Sequence, residues 1–226
     1  MRLAALVSGG KDSLYAMYLA MQTGHDVRYI ISFISENPDS YMFHVPNAGL
    51  VKKQAELIGI KHFEISTKGV KEEELADIEK VLKKILPEID GVVTGAVASN
   101  YQKIRIDAIC KNLGLQSIAP LWGRNDADML REIVNNGFEI MIVAVAAPPL
   151  DESWLGCVID EERINELAFL NKKYGISAMG EGGEFETLVI DCPMFKKSLV
   201  VKGEKYWNDR IKHGVFVVRD LNVIEK

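Results

Sequence analysis

Short, continuous apolar runs alternate with amphipathic stretches through the first half of the chain. Runs without polar alternation are typical of strands that are buried on both faces of a parallel sheet. Strands of this kind are predicted over residues 3–7, 27–34, 62–65 and 91–94. Helices are predicted over residues 11–23, 50–58, 72–86 and 100–113, and each is followed by glycine or proline. The alternation predicts an α/β domain in which helices flank a parallel sheet.

The pattern changes after Trp122 and Gly123. Helices are predicted over residues 126–136 and 160–174, the second with Asp160 as its N-cap. Strands are predicted over residues 139–145, 185–190, 198–201 and 215–218. We therefore expect two domains, 1–123 and 124–226, of which the second is a smaller α+β domain.

Composition and charge narrow the class of protein. The net charge of −5 and the lack of a basic block argue against stable nucleic-acid binding. The three cysteines, Cys110, Cys157 and Cys192, lie far apart, and no zinc-ligand spacing is present. Sparse cysteine fits a reducing compartment. No apolar run is long enough for a signal peptide or a membrane span, so we expect a cytoplasmic protein without membrane contact.

The loop that follows the first predicted strand has the composition of an anion site. It reads SGGKDS over residues 8–13, and we call it the SGGKDS loop. The first N–H groups of the following helix are unpaired and the helix dipole is positive there, so an anion is favoured. Gly9 and Gly10 allow a ligand to approach the backbone. Ser8 and Ser13 add hydroxyl donors, and Lys11 adds a full positive charge.

Asp12 would repel a phosphate unless a cation lay between them, so the loop also implies Mg²⁺ held by Asp12. The spacing fits neither the Walker A motif nor the dinucleotide-binding fingerprint. A glycine-rich turn that merely opens a helix is the alternative. The position directly after a buried strand favours the anion site.

The SGGKDS loop resembles the pyrophosphate-binding loop of the N-type ATP pyrophosphatases, which split ATP into AMP and pyrophosphate. Residues 95–125 and 180–193 resemble two further signatures of one family within that superfamily, the diphthine–ammonia ligases. The resemblance runs over nearly the whole chain. It implies a HUP-like (Rossmann-like) domain, ATP and Mg²⁺ as cofactors, and amidation of diphthine on translation elongation factor 2.

The resemblance implies roles for residues around the nucleotide. Lys11 and Asp12 are expected to be catalytic, and residues 8–13 to bind the phosphates. ATP binds at the carboxyl ends of parallel strands, which adds four candidate contacts near the adenosine. These are Ser32, Phe33, Gly95 and Ala96, although Phe33 also suits the core. His44 is a further candidate, from a loop that could border the nucleotide, although a lone histidine is more often structural.

Residues 101–105 are predicted to begin a helix that carries substrate contacts. Tyr101 and Arg105 share a face because they are four residues apart. These two residues and Gln102 are expected to touch substrate because of the family match. Lys103 is expected on a solvated face. Ile104, Ala108 and Cys110 are expected to face the core.

Three carboxylates crowd into residues 181–187, which suggests a cation among them. Glu181, Glu184, Glu186 and Thr187 are the candidate substrate contacts. The cation could be Mg²⁺, ammonium or the trimethylammonium of diphthine, with a cage of Trp122, Trp154 and Phe185. The alternative is an ordinary hairpin turn at Gly182 and Gly183.

The chemistry implied is adenylation of a carboxylate followed by attack of ammonia. No glutaminase domain precedes the loop, so free ammonia is the expected nitrogen source. The second domain is expected to dock the elongation factor. A phosphorylated intermediate, which would leave ADP, stays open, as does the oligomeric state, a homodimer included. The alternative functions are tRNA modification of the thiolation or lysidine type and a non-catalytic adenine-nucleotide sensor.

Overall fold

The computed structural model describes residues 1–35, 48–67, 73–124 and 126–226. These residues form two compact units, Met1–Gly123 and Arg124–Lys226, and each unit contains one sheet. Among the described residues, no helix combines the length and apolarity that a bilayer crossing requires.

The first unit is built on a five-stranded sheet in the order β3-β2-β1-β4-β5, and every pair of neighbours is parallel. Its strands are β1 (Arg2–Leu6), β2 (Asp26–Ser35), β3 (Lys61–Thr67), β4 (Gly91–Val93) and β5 (Gln116–Ile118). The predicted α/β class with a parallel sheet is confirmed. The sequence did not predict β5, because its three residues contain no apolar run.

Helices cover both faces of this sheet. They are α1 (Lys11–Gln22), α2 (Val51–Ile58), α3 (Glu73–Ile85) and α4 (Asn100–Leu113). Ile31 and Phe33 of β2 belong to one buried cluster with apolar residues of α3 and α4. Ile30 and Ser32 lie on the opposite face, because strand residues alternate between faces. On α1, Leu14 and Met17 are fully buried.

The helix α4 turns a different face to the core than the sequence predicted. Ile104 and Ala108 were expected inside but are exposed, Ile104 at 62%, whereas Cys110 is buried as expected. The buried positions of α4 are Ile106, Ile109 and Cys110. These follow the i, i+3, i+4 spacing of one helical stripe, from which Ile104 is excluded.

The strand order places the SGGKDS loop at a switch point. From β1 the chain proceeds outward to β2 and β3, and then returns past β1 to β4 and β5. The connections that leave β1 and β4 therefore diverge, which opens a crevice at the carboxyl ends of these strands. The SGGKDS loop leaves β1 at this edge, and Gly95 follows β4 at the same edge.

The second unit contains a four-stranded antiparallel sheet in the order β7-β6-β9-β8. Its elements are α5 (Asp126–Asn135), β6 (Glu139–Val145), α6 (Glu161–Tyr174), β7 (Phe185–Asp191), β8 (Ser198–Asn208) and β9 (His213–Ile224). The predicted α+β character is confirmed. Asp160 caps α6 as predicted, because its Oδ1 accepts the Arg163 N–H at 2.9 Å. The strands β8 and β9 are longer than predicted, since many of their outer residues are exposed and give no apolar signal.

Candidate active site

The N-terminus of α1 is open to an anion. The helix begins at Lys11, directly after Gly10, whose backbone is extended at φ −84° and ψ 171°. Within the described residues, no side chain caps this terminus. The N–H groups of the first turn and the helix dipole are therefore directed at whatever occupies the crevice beyond β1.

The Ser13 hydroxyl stabilises the SGGKDS loop by hydrogen bonds within the loop. Its Oγ accepts the Ser8 N–H at 3.1 Å and donates to the Gly10 carbonyl at 3.2 Å. The Ser8 hydroxyl lies 3.2 Å from the same oxygen. The sequence predicted Ser13 as a phosphate donor. Its hydroxyl is instead engaged in holding the loop closed, so a further contact to phosphate would share that hydroxyl.

Lys11 and Asp12 form an ion pair at the centre of the loop. Lys11 is only 2% exposed, and its Nζ lies 2.9 Å from Asp12 Oδ2. The other carboxylate oxygen, Asp12 Oδ1, is buried and has no hydrogen-bond partner among the described residues. A buried carboxylate oxygen without a partner is costly, and a divalent cation would satisfy it. The residues present therefore fit Mg²⁺ bound at Asp12 beside a phosphate.

Two glycines allow neighbouring elements to pack closely against the SGGKDS loop. A Cβ on Gly95 would lie 2.5 Å from the Ser13 backbone nitrogen and 2.6 Å from the Asp12 carbonyl carbon. Gly95 therefore packs directly on the first turn of α1, where no larger residue fits. Gly9 has φ +89°, a conformation that glycine adopts at little cost. Ala96, the other residue predicted here, is buried.

Gln54 is a residue of this site that the sequence reasoning missed. It lies on α2, is fully buried, and donates from Nε2 to the Gly9 carbonyl at 3.0 Å. A glutamine in an amphipathic helix is ordinarily predicted to lie on the solvent-exposed face. The apolar neighbours Val51 and Ala55 gave the only available hint that this face of α2 is buried.

Two of the residues predicted near the adenosine, Ser32 and Phe33, lie on opposite faces of β2. The strand continues to Ser35, so Ser32 and Phe33 lie within β2 and not at its end as predicted. The register with β3 extends to Ser35 opposite Thr67, which explains the longer strand. Phe33 packs in the buried cluster against α3 and α4.

Ser32 is buried on the other face, and its Oγ lies 2.7 Å from His62 Nε2. Burial lowers the pKa of His62. The ring therefore favours its neutral form, which can either donate to or accept from the Ser32 hydroxyl. His44 lies outside the described residues.

The helix α4 brings its predicted contacts together. Ser99 caps the helix, with its Oγ accepting the Gln102 N–H at 3.4 Å. The Arg105 guanidinium carbon lies 3.6 Å from the centre of the Tyr101 ring, so these residues share a face as predicted. The stack holds the guanidinium against the ring, and a guanidinium is suited to carboxylate and phosphate oxygens.

Lys103 is more engaged than predicted. It forms an ion pair with Asp107, and its Nζ lies 5.5 Å from the centre of the Trp122 ring. Burial raises the pKa of Asp107, but hydrogen bonds from Lys103 and Ser117 outweigh that effect and lower it. One face of the Trp122 ring therefore already carries a cation from this chain.

The loop before β7 is organised by Glu184. This residue is 8% exposed, and its carboxylate accepts the Ser177 N–H at 2.7 Å and the Gly182 N–H at 2.9 Å. A Cβ on Gly182 would lie 2.6 Å from Glu184 Oε1, so the carboxylate sits tightly under the backbone. Glu181 is exposed, and Glu186 and Thr187 are half-buried.

The hairpin alternative for Gly182 and Gly183 is wrong. These glycines lie in the connection from α6 to β7, while β7 pairs with β6. The aromatic rings suggested as a cage for the trimethylammonium group are also less accessible than that role requires. Trp154 and Phe185 are buried, and the guanidinium carbon of Arg163 lies 4.4 Å from the centre of the Trp154 ring.

Comparison with known proteins gives consistent matches over both units. Residues 1–117 match a family model described as the diphthamide synthase N-terminal domain, and residues 125–222 match its C-terminal counterpart. A diphthine–ammonia ligase of Homo sapiens is 36% identical over 222 residues, covering 89% of this chain and 83% of that protein. The Rattus norvegicus protein of that name is 37% identical with the same coverage.

The Saccharomyces cerevisiae diphthine–ammonia ligase is 30% identical over 231 residues, which are 87% of this chain and 34% of that protein. Among solved structures, a predicted tRNA methyltransferase subunit from Methanocaldococcus jannaschii matches with a TM-score of 0.47 and 20% identity. That match covers 85% of this chain and 98% of the other, and a likeness of this degree supports no conclusion about function.

Proposed function

The chain belongs to the diphthamide synthase family, and from that premise we propose that it is an ATP-dependent diphthine–ammonia ligase. The protein substrate is translation elongation factor 2 carrying diphthine, and the nitrogen donor is ammonia. The observation that carries the proposal is the uncapped N-terminus of α1 behind the SGGKDS loop, at the switch point of a parallel sheet.

The reaction must replace a carboxylate oxygen by nitrogen. Ammonia does not displace oxide from a free carboxylate, so the oxygen first needs a better leaving group. In the proposed first step, a diphthine carboxylate oxygen forms a bond to the α-phosphorus of ATP, and the bond from that phosphorus to pyrophosphate breaks. In the second step, ammonia attacks the acyl carbon, AMP leaves with the former carboxylate oxygen, and the nitrogen loses a proton.

The residues of the SGGKDS loop suit the first step. The N–H groups at the start of α1 and the Lys11 ammonium stabilise negative charge as it develops on the departing pyrophosphate. Asp12 would hold Mg²⁺, which supplies charge neutralisation on the phosphate oxygens when bound. Ser13 and Gly95 keep the loop in place while the leaving group gains charge.

The protein substrate needs groups that recognise a modified histidine with a carboxylate and a quaternary ammonium. The Tyr101–Arg105 stack offers a fixed guanidinium for the carboxylate or a phosphate oxygen. Glu181 and Glu186 remain candidates for the cationic end or for ammonium. Glu184 contributes by shaping the loop that presents them, since its carboxylate bonds to the backbone. We assign docking of the elongation factor to the second unit.

The cysteines disfavour the thiolation alternative. Burial raises the pKa of Cys110 to about 11 and that of Cys192 to about 12, and it also raises the pKa of Cys157. A sulfur carrier needs an accessible thiolate near neutral pH. The three thiols of this chain are therefore poorly suited to that chemistry.

The proposal is tested with the purified chain, ATP, Mg²⁺, ammonium and elongation factor 2 carrying diphthine. We expect AMP and pyrophosphate to appear by chromatography, and the diphthine peptide to convert to its amide by mass spectrometry. AMP without amide would keep the nucleotide chemistry but reject the substrate, and tRNA would then be tested. Absence of nucleotide cleavage with both substrates would contradict the ligase and favour the sensor.

A further inference from the structure

Gln54 reaches the SGGKDS loop from a separate helix. It is 0% exposed and donates from Nε2 to the Gly9 carbonyl at 3.0 Å. The other buried residues of α2, namely Val51, Ala55 and Leu57, are apolar. A buried amide costs free energy unless it is bonded, and an apolar side chain of similar size would pack as well against apolar neighbours. Gln54 therefore supplies a buried amide donor to the Gly9 carbonyl that an apolar residue would not supply.

The hydrogen bond fixes the direction of a neighbouring N–H group. Among the described residues, the only cis peptide joins Pro148 and Pro149, so the Gly9–Gly10 peptide is trans. In a trans peptide, the carbonyl of the first residue and the N–H of the second point in opposite directions. With the Gly9 carbonyl held toward α2, the Gly10 N–H is directed away from α2. Within the described residues, no backbone carbonyl accepts that N–H.

Packing around Gly9 supports the same role. A Cβ on Gly9 would lie 3.1 Å from Gln54 Oε1 and 3.2 Å from Val51 Cγ2, so α2 fits closely against this glycine. Gly9 also has a positive φ, a conformation that glycine adopts at little cost. Without the amide, the Gly9–Gly10 peptide could rotate, because glycine tolerates many backbone conformations.

We propose that Gln54 is a positioning residue for pyrophosphate, which holds the Gly9–Gly10 peptide so that the Gly10 N–H points at the bound anion. This inference rests on the proposed function, since it takes the SGGKDS loop as the pyrophosphate site. Gln54 acts through the peptide and does not touch the phosphates itself.

The test compares binding of Mg²⁺-pyrophosphate and of AMP to the full chain by calorimetry. Gln54→Met keeps the volume and removes the donor, and Gln54→Asn keeps an amide that is too short to reach. We expect pyrophosphate affinity to fall about tenfold or more in both variants, because the buried carbonyl loses its donor. AMP affinity should change by less than about twofold, since AMP leaves the pyrophosphate position empty. Lys53→Met, on the exposed side of α2, is the matched control and should change neither affinity.

Thermal unfolding identifies which variants are folded, and either Gln54 variant is sufficient for the comparison. Wild-type pyrophosphate affinity in a folded Gln54 variant would overturn the positioning role and leave the proposed function intact. Equal losses for AMP and pyrophosphate would also overturn it, since they would indicate a general structural effect. A wild-type chain that does not bind pyrophosphate would overturn both proposals.

Discussion

Glu184 illustrates how a single residue can have a role that its type does not reveal. Its position among three carboxylates suggested a ligand for a cation. Both of its oxygens instead accept backbone N–H groups, from Ser177 and Gly182. The carboxylate thus joins the beginning of the loop before β7 to its middle, and the loop depends on this residue for its shape.

Replacing Glu184 should therefore lower stability as well as activity. In Glu184→Gln, the amide retains one acceptor but turns an N–H₂ group toward a backbone N–H. We expect a loss of about 1–3 kcal/mol in the free energy of unfolding, measured by urea titration. Glu139→Gln, at an exposed carboxylate that begins β6, should change it by less than about 0.5 kcal/mol. Unchanged stability in Glu184→Gln would show that the two backbone bonds are not structural.

The ion pair of Arg2 and Asp90 makes a prediction about pH. The Arg2 side chain and then its backbone N–H hold the pKa of Asp90 well below its usual range. The distance from Arg2 Nη2 to Asp90 Oδ1 is 2.6 Å, and that from Arg2 N to Asp90 Oδ2 is 2.8 Å. A lowered pKa in the folded state stabilises the fold above the unfolded pKa of about 3.9, and the effect is lost as the pH falls further.

We therefore expect the wild type to be more stable than Asp90→Asn near neutral pH, with the difference shrinking below about pH 4. The measurement is the urea midpoint of both proteins across the acid range. A difference that grew on acidification would have the wrong sign for a carboxylate of lowered pKa. Asp26→Asn serves as the control, because Asp26 is a more exposed carboxylate near the same end of the sheet.

At the scale of elements, the site depends on how closely the connection after β4 approaches α1. Gly95→Ala would place a methyl group 2.5 Å from the Ser13 nitrogen, so either the connection or the helix must shift. Overpacking of this kind costs about 1–3 kcal/mol. We expect kcat for ATP cleavage to fall at least about tenfold, because the first turn of α1 is displaced.

The control for Gly95→Ala is Gly49→Ala, where an added Cβ meets nothing within 4 Å. Steady-state kinetics of both variants would measure the effect. Equal activity of Gly95→Ala and the wild type would mean that the geometry of the first turn does not limit the reaction.

Elements with a strong local signal could be predicted from the sequence, and those held by long-range contacts could not. The strand β6 was predicted with its observed ends, because the continuous apolar run that follows Glu139 is a strong strand signal. The strand β5 has only three residues and depends on its pairing with β4. The length of β8 and β9 comes from pairing with each other over exposed residues, which no apolar pattern records.

In the candidate site, too, features with local causes could be predicted and features that depend on long-range contacts could not. The SGGKDS loop could be predicted because its glycines, charges and position after a strand all have local causes. Gln54 could not, since its role arises only when α2 packs beside the loop. The exposure of Ile104 likewise depends on which face of α4 meets the sheet, and the buried face is that of Ile106, Ile109 and Cys110.

At the scale of the whole molecule, the proposed ligase must couple nucleotide cleavage to a second substrate. The first unit provides the crevice at the switch point, and the second provides the loop that Glu184 shapes. We propose that the first unit binds ATP and that the second presents the modified histidine. A sensor would need neither Asp12 nor the buried Lys11 to hold adenine nucleotide, whereas the proposed ligase uses both for the departing pyrophosphate.

The most direct test of this account is exchange of radiolabelled pyrophosphate into ATP. The chain would be incubated with ATP, Mg²⁺, labelled pyrophosphate and elongation factor 2 carrying diphthine, with ammonia left out. Reversible formation of an acyl-adenylate predicts labelled ATP that depends on the diphthine protein, and a sharp loss of exchange in Lys11→Ala. No exchange, together with ADP as the product once ammonia is added, would contradict the adenylate and with it the role given to the SGGKDS loop.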